Sequence, residues 1–272
     1  MIRRLSHTFT VALVAGILLS GCKTATTDPG NQNINTNIGD SIPRVNSAYS
    51  YLISQLDQSG NIDPISTIQG NAFIDTGAIS IFSKLSSYSV IDQSNTAHDT
   101  AYFLYESNNN VSMFLQDPGF LNNYRNGQRV DETLEAVANA VFHQWITLPI
   151  ASKGTVSIPD LNTSFSISGG QVPANIHTTV EFIGDSSIVA TNGITLTPDT
   201  LASKHCLLLI TAKLSFGNEQ VTLTHQRDIW FVPRIGYIAK EMTRTNMPAV
   251  TVYVIPLDTT ATMKTLTSYT LR

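Results

Sequence analysis

The sequence predicts a mainly β fold: a curved antiparallel sheet forming a half-barrel or open barrel, with one or two short helices, one of them packed in the concavity. Three observations carry this prediction. About ten segments with period-two apolar patterning recur at intervals of roughly ten residues, separated by Gly, Asn, Asp and Pro, which is the rhythm of an antiparallel all-β domain that can run to 200–250 residues. The segments 205–216 and 221–232 place their apolar residues on matching faces. The composition, 42% hydrophobic and 13% charged, is that of a chain with enough apolar surface to fold.

Residues 1–21 stand apart from the domain. Arg3 and Arg4 precede an apolar run, Phe9 to Leu19, which is too short for the about 20 residues a spanning helix needs and reads as a signal peptide. Leu19-Ser20-Gly21-Cys22 follows at once. This tetrad resembles the lipobox of bacterial lipoproteins. The resemblance implies that the Cys22 thiol receives a diacylglycerol, that cleavage makes Cys22 the first residue, and that its amine is acylated. Two or three chains hold a protein on a bilayer stably where one holds it marginally. Membrane attachment through Cys22 is therefore the first partner expected.

Lys23 to Ile42 is mostly Thr, Asn, Gly and Asp and reads as a flexible tether, reaching at most roughly 60 Å at about 3.3 Å per residue. Lys23, rather than Asp, beside the anchor favours the outer membrane under the sorting rule the resemblance brings with it. The lack of an acidic cluster after Cys22 favours the periplasmic face over the cell surface. Residues 43–272 are expected to form a single β-rich domain.

Charge excludes one class of partner. The net charge is −4; removing residues 1–21 takes Arg3 and Arg4 and leaves fourteen basic against twenty acidic residues, a net of −6. Such a chain lacks the basic face that nucleic acid requires. With Cys22 lipidated, Cys206 has no partner within the chain, so packing rather than disulfides holds the fold. Cys206 heads the apolar run through Ile210 and reads as a buried small hydrophobe rather than a nucleophile.

Within the domain, Ala48, Tyr51, Leu52 and Leu56 recur at helical spacing and predict a short helix over 45–56. Tyr102–Tyr105 and Val111–Leu115 flank Asn108-Asn109-Asn110, a hairpin signal because Asn tolerates the left-handed backbone of a tight turn. Asp131 can cap, Glu132 and Glu135 suit a first turn, and Leu134, Val137, Ala138, Val141 and Phe142 recur at three and four, which predicts a helix over 131–142 lying on the concave face. Val180–Ile183 and Ile188–Thr191 read as strands flanking Gly184-Asp185, Val250–Ile255 as another, and a last strand falls near Met263–Leu271.

The pair 205–216 and 221–232 fixes its own register. Cys206, Leu208, Ile210, Ala212, Leu214 and Phe216 share a face, as do Val221, Leu223, Ile229 and Phe231. Setting Phe216 opposite Val221 leaves the loop Gly217–Gln220 and keeps both sets on one side, whereas a slip of one residue separates them. His225 and Arg227 interrupt the apolar face. Either the sheet opens to solvent there or its interior is polar.

The stretch from Gln226 through Trp230, Phe231, Pro233 and Gly236 to Lys240 and Glu241 resembles a strand-turn-strand of envelope lipoproteins with a curved antiparallel half-barrel, relatives by fold of the periplasmic lipoprotein carriers. Pro233 presets a turn, Gly236 supplies an unusual dihedral, and Trp230 and Phe231 face opposite ways. The resemblance implies a concavity able to hold an acyl chain.

Catalytic patterns are lacking. There is no Gly-x-Ser-x-Gly, His-Glu-x-x-His, phosphate loop or paired-Cys metal motif. The His at 98, 143, 177, 205 and 225 are scattered, and neither a metal nor a cofactor is expected. Asp57–Asp63 imitates the middle of an EF-hand loop, but the end ligands would be Gln55 and Ser66, so a polar turn after the 45–56 helix is expected instead. Asp131, Glu132 and Glu135 suit a helix dipole rather than acid-base work. The chain is thus expected to be a non-enzymatic, lipid-anchored envelope module binding a hydrophobic ligand or a partner protein. A structural or adhesive surface role comes second and an envelope-polymer hydrolase third.

Overall fold

In the computed structural model the described residues are 43–57, 59–75, 79–94, 97–115, 143–167, 170–247 and 258–272. They form fourteen strands: β1 (Ala48–Gln55), β2 (Ile68–Asp75), β3 (Ser80–Ile81), β4 (Lys84–Leu85), β5 (Tyr88–Ser94), β6 (Ala97–Tyr105), β7 (Val111–Leu115), β8 (Gln144–Leu148), β9 (Thr155–Ile167), β10 (Gly170–Asn192), β11 (Thr197–Phe216), β12 (Glu219–Val232), β13 (Tyr237–Met247) and β14 (Asp258–Thr270). The only helical elements among the described residues are two 3-10 turns, Pro64–Ser66 and Pro233–Ile235.

Twelve strands make one sheet in the order β8-β7-β6-β5-β2-β1-β14-β13-β12-β11-β10-β9, while β3 and β4 form a separate ribbon. The chain starts in the middle at β1, meanders out to β8, crosses to the opposite edge at β9, and meanders back until β14 pairs with β1. This topology dictates curvature. Twelve flat strands about 4.8 Å apart would hold the two edges roughly 50 Å from each other. Yet β8 ends at Leu148 and β9 begins at Thr155, and that connection spans at most about 25 Å. The sheet therefore curls until its edges approach. It does not close into a barrel, because β8 and β9 do not pair. Beyond the last β13–β14 pair, Lys240 with Thr265, the end of β10 pairs in parallel with β14 at Thr191–Ser268 and Asn192–Tyr269.

The expected curved antiparallel half-barrel is what forms, with several corrections in detail. Residues 45–56 hold strand β1 rather than a helix: Tyr49 and Tyr51 point inward, Ile53 packs against the same core, and Ala48 and Leu52 are exposed. Aromatic and β-branched residues at period two outweigh the accidental helical stripe. Residues 180–191 are not two strands about a turn. They lie within the 23-residue β10, and Gly184 follows a bulge in its pairing with β11, a usual place for a strand glycine. The β11–β12 register pairs Leu214 with Val221 and Phe216 with Glu219, two residues from the expected one. The turn is therefore the two residues Gly217-Asn218, with Gly217 at φ +62°. A slip of two preserves every inward face, so Cys206 through Phe216 and Val221 through Phe231 remain buried together. The hairpin at Asn108–Asn110 and the last strand stand as expected. The helix expected over 131–142, with Asp131, Glu132 and Glu135, and the strand over 250–255 lie outside the described residues.

The core is one continuous layer on the inner face, from Ile146 and Leu148 on β8 through Phe103, Tyr49 and Phe231 to Leu208 and Ile210 on β11. At one end an aromatic stack joins the halves: Tyr49 lies parallel to Tyr237 with ring centres 4.2 Å apart, and Tyr88 stacks on Phe103 at 5.2 Å. The Tyr49 and Tyr88 hydroxyls donate to Ile235 O and Gly236 O respectively, each at 2.7 Å, so the Pro233–Gly236 turn is fastened to β1 and β5. Gly236 sits at φ +61°, and a Cβ there would lie 2.6 Å from Pro43.

Candidate functional site

Inward-facing positions of β12, β13, β14, β1 and β5 converge on a stripe of charge inside the apolar layer. His225 and Arg227 are 2% and 8% exposed, so the second expectation for them holds: they belong to a polar interior. Arg227 Nε and Nη2 lie 2.7 and 2.6 Å from Glu241 Oε1 on β13. Thr243 Oγ1 donates to the same oxygen at 3.2 Å. His225 Nδ1 lies 2.9 Å from Thr245 Oγ1. Opposite Glu241 in register is Lys264 on β14. The Lys264 ammonium reaches Asp92 Oδ2 on β5 at 2.5 Å and stands 4.0 Å from the ring centre of Tyr51 and 5.4 Å from that of Tyr237. The Tyr51 hydroxyl donates to the other Asp92 oxygen.

The electrostatics follow from burial and pairing. Burial alone would raise the Glu241 carboxyl, but Arg227 and then Lys264 outweigh it and hold the group below its usual range. Burial alone would lower Lys264, and Tyr237 and Asp92 more than offset that, so its ammonium is held more tightly than usual. His225 goes the other way: desolvation, aided by Arg227, pushes its imidazole down to about 3. The stripe therefore holds ionised Glu241 and Lys264 and a neutral imidazole at neutral pH. Charges so engaged tie five strands together.

A second polar group lies on the outer face of β11, β12 and β13. His205 stacks on Trp230 with centres 4.1 Å apart, its Nε2 lies 2.9 Å from Asp228 Oδ1, and the Lys240 ammonium sits 4.7 Å from the Trp230 ring centre. Trp230 and Phe231 do face opposite ways, since Phe231 is fully buried. The Pro233–Gly236 turn forms as expected.

Cys206 is buried, and desolvation pushes its thiol up to about 12, the behaviour of a packed hydrophobe. The described residues of 57–63 form a turn that follows β1 rather than the expected helix. Asp57 accepts from Asn61 N at 2.8 Å, Asp63 caps the Pro64–Ser66 turn, and Leu56 bridges to Ile62. His177 pairs with Asp160 at 2.6 Å on the surface, and His143 is exposed. Among the described residues no group of three His, Cys, Asp or Glu is placed to hold a metal, and no helix is long and apolar enough to cross a membrane. Cys22 lies outside the described residues. Sequence reasoning missed Tyr51, Asp92 and Lys264. The polar residues His225 and Arg227, standing where β12 should be apolar, were the signal that buried partners exist.

No family model matches the chain, and no curated protein does. Among solved structures, a protein of Parabacteroides distasonis described as a "putative lipoprotein" aligns over 84% of this chain and 96% of its own, with 12% identity and a TM-score of 0.40. A likeness this distant transfers no function.

Proposed function

We infer that the chain is a lipid-anchored module of the bacterial envelope that works by binding rather than by catalysis. The observation that carries this reading is Cys22, placed directly after Leu19-Ser20-Gly21 at the end of an apolar run and separated from the domain by the 20 residues 23–42. The outer membrane, periplasmic face, remains the favoured address because Lys23 follows the anchor and no acidic cluster does.

The sheet supports a binding role. Its charged interior residues are engaged with one another, Arg227 with Glu241 and Lys264 with Asp92, which favours a structural use of those groups over acid-base chemistry. Leu208, Ile210, Ile229 and Phe231 on the inner face are at 0% exposure, so that part of the concave face is already covered. That favours a partner protein on the outside over an acyl chain within. An adhesive role is the second reading, favoured by the polar outer surface of β9 and β10, where Asn175 bonds Asn162 and His177 meets Asp160.

Intact mass of the membrane-extracted protein tests the anchor. A chain beginning at Cys22 with added diacylglycerol and acyl mass is expected, and Cys22→Ser should leave unprocessed or soluble protein. A variant that remains membrane-bound with unchanged processing overturns the reading. Native mass spectrometry after gentle extraction decides between ligands, because a co-purifying acyl mass would show a carrier.

A further inference from the structure

The β10–β11 hairpin ends in a turn that presents apolar side chains to solvent. Ile194 is 67% exposed and Leu196 78%. The turn is tightly bonded. Asn192 Oδ1 accepts from Ile194 N at 2.9 Å and Thr195 N at 3.4 Å, and Leu196 N donates to Asn192 O at 2.8 Å. Leu196 has φ +57°, a left-handed conformation that suits Gly or Asn and is unfavourable for a branched side chain. One residue thus combines backbone strain with exposed apolar surface.

Scattered exposed aliphatics are ordinary on protein surfaces. The position of this pair distinguishes it. Gly193 N donates to Tyr269 O at 2.7 Å, and Gly193 packs against Thr270. Two residues further, Arg272 N donates to Ser47 Oγ at 3.3 Å, and Arg272 lines a cavity of about 490 Å³ with Pro43, Arg44 and Tyr88. The hairpin tip therefore stands at the end of the sheet where the chain enters the domain at Pro43, twenty-one residues after Cys22. Arg44 and Arg272 are exposed at that end. Arg234 is there too, paired with Asp199 at 3.0 Å, and Asp75 is the other acid beside the cavity. Apolar side chains on a fixed turn, at the same end of the sheet as arginines whose stems can lie along lipid, are the ingredients of an interfacial contact.

We propose that the Ile194–Leu196 tip dips into the surface of the membrane that holds the chain, seating the domain against the bilayer end-on instead of leaving it at the full reach of its tether. The occupant is a lipid surface, and the proposal rests on the anchor reading. At the far end of β1, Ile65 is 94% exposed and supplies an internal control.

The test uses the full lipidated protein in vesicles of equal parts phosphatidylethanolamine and phosphatidylglycerol, with an environment-sensitive fluorophore on Thr195→Cys or on Ile65→Cys. The expected result is a blue-shifted Thr195 probe quenched by brominated lipid and an Ile65 probe that reports water, with the Thr195 shift lost in the Ile194→Ser/Leu196→Asn background. Both probes shifting, neither shifting, or a shift that survives the double substitution overturns the tip contact while the anchor stands. Intact mass without acyl chains on Cys22 removes the anchor and this proposal together.

Discussion

The ring of Tyr51 on β1 lies across Gly70 on β2, so that a Cβ on Gly70 would overlap it, and its hydroxyl thereby reaches Asp92 on β5. Glycine at this strand position is a groove rather than a turn. It lets one phenol cross a whole strand and join the charged stripe.

Gly70→Val should fill that groove and push the phenol off Asp92. Overpacking of this kind costs about 1–3 kcal/mol, which for a domain of this size lowers the melting temperature by several degrees. Thermal unfolding followed by circular dichroism measures it. An unchanged transition would mean the ring has another place to go.

Arg227 and Glu241 should be worth more as a pair than apart. Arg227→Met leaves a buried carboxylate without its main cation, and Glu241→Leu leaves the guanidinium without its carboxylate. Each should destabilise by about 3 kcal/mol. The double variant should lose much less than the sum, a coupling that urea titration of the four proteins reads directly. Additive losses would show that the two side chains act separately.

Acid sensitivity should begin at His225. Its imidazole titrates at about 3 in the fold against an ordinary 6.5, so below pH 6.5 the unfolded chain binds a proton that the folded chain refuses. The contribution is fully present above pH 6.5 and is lost as pH falls toward 3. At pH 5 the loss is about 2 kcal/mol at 1.36 kcal/mol per unit. Stability measured between pH 5 and 7 should therefore slope upward, and His225→Asn should flatten it. A variant with the wild-type slope would place the titration elsewhere.

Cys206 should be silent to thiol reagents in the native protein at pH 8 and react after unfolding, since it is buried and its thiol is shifted to about 12. In the lipidated chain the denatured protein should yield a single thiol. Rapid labelling without denaturant would contradict the packing around β11.

Much of the sheet was legible in the sequence because burial on one face forces period two. The face shared by Cys206, Leu208, Ile210, Ala212, Leu214 and Phe216 survives in the structure even though the turn after it is two residues shorter than the pattern suggested. Faces depend on parity, whereas loop length depends on the preference of Gly217 for a positive φ. At 45–56 the same logic was hidden, because Ala48, Tyr51, Leu52 and Leu56 imitate a helix while Tyr49 and Tyr51 form the inward face. The charged stripe was half legible. His225 and Arg227 were conspicuous on an apolar face, but Lys264 and Asp92 meet across 172 residues of sequence, and no local pattern links residues that only strand order brings together.

The strand order also sets a schedule for assembly. β1 is among the first parts of the domain to be synthesised, and its partner β14 is the last described strand, with Thr267 Oγ1 bonding Ser50 O across 217 residues. Until β14 arrives, β1 presents a bare ladder of amides in what will become the middle of the sheet, the kind of edge that recruits other chains. The growing protein must be kept from its neighbours until β14 closes that seam, and losing Asp258–Thr270 would divide the finished sheet in two rather than trim its border.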